Sequence, residues 1–107
     1  MREEAMRTWM KNQKKPSGEP WGKRHMDDVI SRLGRVQKGL QVDLDEEYRK
    51  DGGENLIRLL DYTAEDQKNH RPAPGKLYFK PGANLRDGMA SLKNAVKKYF
   101  DFCSTGA

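Results

Sequence analysis

In two long stretches of this chain the apolar residues recur every three or four positions, and that spacing constrains the fold more than any other feature. Met26, Val29, Ile30, Leu33, Val36 and Leu40 fall within an arc of roughly 120° when successive residues advance by 100°. Leu85, Met89, Leu92, Val96, Tyr99 and Cys103 trace a second stripe, broadened by Ala95 and Phe100. A helix with one apolar stripe must bury it against another helix, so the pattern predicts an all-α fold. Hydrophobic residues are only 35% of the chain and charged residues another 35%. A core can form only where the apolar residues are concentrated in this way. With 107 residues there is material for one domain, spanning 1–107, and for modest stability.

Punctuation residues divide the chain. A first helix is predicted over 2–13, with Ala5, Met6, Trp9 and Met10 inward and Glu3 and Glu4 placed well for the helix dipole. It ends at Lys14-Lys15-Pro16-Ser17-Gly18. A second helix is predicted over 19–38, capped by Ser17, with Pro20 in its first turn and Gly39 as its stop. Asp43 is read as the cap of a short acidic helix that ends at Asp51-Gly52-Gly53. One further helix is predicted over 54–68, with Leu56, Ile57, Leu59, Leu60 and Tyr62 inward. Residues 70–84 carry Pro72, Pro74 and Pro81 and read as a loop in which Leu77-Tyr78-Phe79 is extended and tucked onto the helices. Asn84 then caps the last helix. The expectation is a small four- to five-helix bundle with one long Pro/Gly-containing loop at about 70–84, and with Leu33, Leu60, Leu92 and Val96 central.

Charge is segregated along the same chain. Residues 1–41 hold ten Lys/Arg and five Asp/Glu (+5), residues 42–68 four and nine (−5), and residues 69–107 seven and two (+5). Two basic arms flank an acidic middle, a distribution suited to a phosphate backbone or to an acidic protein partner. On the second helix Arg24, Ser31, Arg35 and Lys38 lie opposite the apolar stripe, and Arg86, Lys93 and Lys97 line the flank of the last helix. These rows have the reach to touch successive phosphates, and Lys14 and Lys15 at the first break extend the surface, as do Arg71, Lys76 and Lys80. Trp21 and Tyr78 stand beside cations and are read either as stacking platforms or as seals at the edge of a small core.

Catalytic and metal chemistry find no support in the residue pattern. His25 and His70 fall in different elements without a Cys or second His at ligand spacing, and His25 reads as a surface member of the basic row. Cys103 is the single cysteine, which excludes an internal disulfide, and its place on the last stripe predicts a buried, unreactive thiol. Asp43, Asp45, Glu46 and Glu47 lack the turn glycine and terminal bidentate glutamate of a calcium loop. No cofactor and no membrane partner are expected, and the absence of a signal-like or spanning apolar run predicts a cytoplasmic protein.

Several segments in order carry a family resemblance. Ser17-Gly18-Glu19-Pro20-Trp21 leads into the stripe at 26–33, followed by Asp43-Leu44, the apolar run at 56–60, and Ser91-Leu92-Lys93-Asn94-Ala95-Val96-Lys97-Lys98-Tyr99-Phe100-Asp101-Phe102. This arrangement resembles the N-terminal core-binding, or SAM-like, helical domain of tyrosine recombinases and related modules of prokaryotic restriction proteins. The resemblance implies a non-catalytic helical module that contacts the DNA backbone beside a separate catalytic domain. The chain has no counterpart of that catalytic domain, so no cleavage residues carry over. The competing expectation is a protein–protein interaction domain, or small adaptor, that uses the segregated acidic and basic patches.

Overall fold

The computed structural model describes residues 1–13, 17–19 and 21–105. Six helices form among them: α1 (Glu3–Asn12), α2 (Lys23–Leu40), α3 (Leu44–Asp51), α4 (Glu54–Leu59), α5 (Ala64–Lys68) and α6 (Leu85–Ser104). The fold is all-helical, as the stripes predict, in a body of 40 × 32 × 20 Å. Its thinnest direction therefore holds about two layers of helix. α6 is the central element, packed on every other helix and most extensively on α2.

The α6 stripe behaves as the spacing requires. Asn84 caps it by accepting the Asp87 backbone N–H, and Met89, Leu92, Ala95, Val96, Tyr99 and Phe100 are buried. Leu33 and Leu60 join Leu92 and Val96 at the centre, all with no exposed surface. Phe102 lies off the predicted stripe and is also fully buried. It is covered by α1, where Trp9 meets its ring at 5.8 Å and the Arg2 guanidinium lies 4.8 Å from the ring centroid. Met6 and Met10 of α1 are also fully buried in the core, whereas Ala5 faces solvent.

Three boundaries differ from the sequence expectation. α2 starts at Lys23 rather than 19, with extended Gly22 at its N-cap and no capping bond from a side chain. Trp21 instead reaches forward to stack on His25 at 4.1 Å. α2 also runs through Gly39 to Leu40 and stops at left-handed Gln41. The expected helix over 54–68 is two helices. Thr63 and Asp66 form a capping box, and these local side-chain bonds compete with the i→i−4 ladder and start α5 afresh. Because α4 ends so early, Leu59 stays 42% exposed, while Leu56, Leu60 and Tyr62 turn inward.

The acids of the middle segment hold this part of the fold together. Asp43 caps α3 through the Glu46 N–H, and Asp51 accepts the N–H groups of Gly53 and Asn55 at the start of α4. Asp45 reaches α6: its Oδ1 accepts the Tyr99 hydroxyl at 2.7 Å and the Arg2 Nε–H at 3.2 Å. The Tyr99 oxygen in turn accepts the Arg2 backbone N–H at 2.9 Å. Burial works to raise the Asp45 pKa, but the Tyr99 hydroxyl and the Arg2 charge outweigh it and hold the carboxyl below its ordinary value. Burial, assisted by the Asp45 charge, pushes Tyr99 up to about 12.

These shifts have opposite signs, so they bound a pH window. The Asp45 contribution is complete above the ordinary aspartate value of about 3.9 and is lost as pH falls through the lower folded value. The Tyr99 contribution is complete below the ordinary tyrosine value of about 10 and is lost as pH rises through the folded value of about 12. Urea midpoints measured against pH should therefore drop between pH 10 and 12. Tyr99→Phe should lower the midpoint at neutral pH, by about 1–3 kcal/mol in stability, and remove that alkaline step. An unchanged alkaline step in the variant would assign it to other groups.

Candidate nucleic-acid interface

The loop over 70–84 is fastened to the helices by two glycines. The backbone of Leu77 passes so close to α2 that a Cβ on Gly39 would meet the Leu77 side chain at 2.6 Å. A Cβ on Gly88 of α6 would likewise meet the Phe79 ring at 2.5 Å. Just before the first anchor the Lys76 N–H donates to the Gly39 carbonyl at 2.8 Å, one of the orphan carbonyls at the end of α2. Arg35 closes the clasp: its guanidinium donates to the Tyr78 carbonyl at 2.8 Å and lies 5.2 Å from the Phe79 ring centroid.

Alternation in the extended segment does the rest. With Leu77 and Phe79 turned onto the helices, Tyr78 between them is turned out, 69% exposed. It stands in a groove of about 780 Å³ lined by Arg35, Lys38, Lys76 and Lys80, with no acidic residue in its walls. Beyond Ala83, which lines both, a second groove of about 680 Å³ is walled by Lys68, Arg71 and Arg86 and again by no acid. Among the described residues Arg71 is paired with Asp66 at 3.1 Å, whereas Arg35, Lys38, Lys76, Lys80 and Arg86 form no ion pair.

The sequence-predicted cations are thereby sorted. Arg35 and Lys38 of α2 stand in the first groove and Arg86 of α6 in the second. Lys93 is held by Asp61 at 2.7 Å, and neither it nor Arg24 nor Lys97 lines either groove, although Arg24 and Lys97 are exposed. Lys14 and Lys15 lie outside the described residues. Lys76 and Lys80, read as extensions of the helical rows, are instead half of the first groove's charge. None of Asp43, Asp45, Glu46 and Glu47 lines either groove.

Trp21 and Tyr78 part company. The Trp21 ring is occupied inside the protein, stacked on His25 and 4.6 Å from the Lys98 ammonium, whose pKa burial pushes down. His25 is accordingly half-buried against Trp21 rather than a surface member of the basic row. Tyr78 seals no core edge. Cys103, expected to be buried, is half-buried, and burial raises its thiol pKa. Among the described residues no group of three or more His, Cys, Asp and Glu side chains is placed to hold a metal ion, and no helix is long and apolar enough to cross a membrane. Comparison with protein-family models, curated proteins and solved structures finds no match.

Proposed function

We propose that this chain is a non-catalytic DNA-binding module that takes the phosphate backbone along the two joined basic grooves. The observation that carries the reading is the groove around Tyr78, with four cations converging on one concavity and no carboxylate in its walls. Cations scattered for solubility alternate with acids, as they do in the Arg58–Glu54 and Lys50–Glu47 pairs elsewhere on this surface. An accessory role beside a recombinase- or nuclease-type domain follows from the resemblance of the helical segments and belongs to the same proposal. The adaptor alternative draws less support, because in its acidic patch Asp43 caps α3, Asp45 is bound in the Tyr99 cluster and Glu47 pairs with Lys50 at 3.7 Å, while Glu46 stays exposed.

Duplex binding to phosphates should be weak, indifferent to sequence and steeply dependent on salt. Changing Lys38, Lys76 and Lys80 together to Ala should reduce the slope of log K against log salt by about 2–3, since each phosphate contact contributes about 0.9. All three side chains are exposed, so the variant should fold as the parent does. The charge reversal Glu46→Lys with Glu47→Lys should leave binding unchanged or slightly stronger. DNA left unbound, duplex and single-stranded alike, at about 50 mM salt by the folded protein, or an unaltered slope in the triple variant, would reject the reading.

A further inference from the structure

Tyr78 is more than an exposed aromatic. It is held in place on both sides, by Leu77 against Gly39 and by Phe79 against Gly88, and its own carbonyl is bonded to Arg35. The backbone that carries the ring is thereby fixed, so stacking on the exposed ring has only the two torsions of one side chain left to order. Around it the cations Lys38, Lys76 and Lys80 stand at the wall of the same groove.

An aromatic face set among cations matches one ligand chemistry best, a planar base attached to a phosphate chain. In a duplex the base faces are already stacked and hidden, and only phosphates and groove edges are offered. A surface built for duplex backbone alone has no use for an exposed ring between the lysines. We infer that the groove around Tyr78 takes single-stranded DNA, with one unpaired base stacked on the Tyr78 ring and the flanking phosphates on Lys38, Lys76 and Lys80. This assignment rests on the proposed DNA-binding function and gives it a substrate class, a single-stranded stretch or frayed end. Charge complementarity alone also admits an acidic peptide. The stacking surface is what favours the base, because a run of carboxylates gains nothing from the ring.

The test separates base from phosphate. The full chain is titrated at low salt with a thymidine decanucleotide and with an abasic oligonucleotide of the same length, which keeps the phosphates and lacks the bases. Stacking of one base should make the thymidine oligonucleotide bind about 5- to 100-fold more tightly than the abasic one. Tyr78→Ala should bring the two within about twofold of each other by weakening only the thymidine oligonucleotide, and Tyr78→Phe should keep the preference, since stacking needs the ring and not the hydroxyl. Equal affinity of the parent protein for both oligonucleotides, a preference that survives in Tyr78→Ala, or equally tight binding of polyglutamate of matched charge would overturn the inference. If neither oligonucleotide nor duplex binds, the DNA-binding reading itself fails, an outcome distinct from binding without base preference.

Discussion

Replacing Gly53 by Ala is expected to destabilise the fold by about 2–5 kcal/mol, a large share of the roughly 5–15 kcal/mol available to a small domain. Two costs add. Gly53 sits at φ +83° as the N-cap of α4, and a residue with a Cβ pays about 1–2 kcal/mol in that left-handed conformation. The added Cβ would also overlap the Phe100 ring, which is 7% exposed and wedged beside Tyr48 and Tyr99, so moving it means overpacking worth about 1–3 kcal/mol. Gly52 is the internal control. It has φ +72°, but a Cβ there meets nothing within 4 Å, so Gly52→Ala should show the backbone cost alone. Urea midpoints of the two variants give the difference, and equal losses would mean that the close approach of Phe100 does not matter.

Leu92→Ala should cost about 2–5 kcal/mol by removing transfer free energy and leaving a cavity in the centre of α6. Leu92 is fully buried in the shared core with Leu33, Leu60 and Val96, and α6 is the helix on which all the others pack. A close-packed core relaxes only partly around a lost side chain, so the void should persist. Chemical denaturation measures the loss directly. A value below about 0.5 kcal/mol would place Leu92 outside the core.

What could be read from the sequence, and what could not, follows from the range of the forces involved. The α6 stripe, its Asn84 cap and the Asp43 cap of α3 are set by residues within one or two turns of each other, and they fold where the spacing places them. The break between α4 and α5 was also local. Thr63 followed by Asp66 is a capping-box pattern inside an otherwise helical run, and that pattern is what splits the helix. Phe102 was hidden because its burial depends on α1 arriving from the other end of the chain. The groove is the least local feature. The exposure of Tyr78 depends on Gly39 and Gly88, whose significance appears only when the loop is laid across α2 and α6. Counting charges found Arg35, Lys38 and Arg86 but could not separate them from Lys93, whose partner Asp61 comes from another element.

DNA lying in the Tyr78 groove and its neighbour beyond Ala83 would be located residue by residue in an NMR titration. Backbone amide and lysine side-chain resonances of the labelled protein would be followed as a short DNA is added at low salt. The groove predicts shifts concentrated at Arg35, Lys38, Lys76, Tyr78, Lys80 and Arg86, little change from 43 to 47, and reversal of the shifts by added salt. Shifts centred on Arg24 and Lys97, or on the acidic face of α3, with the groove residues still, would contradict the account.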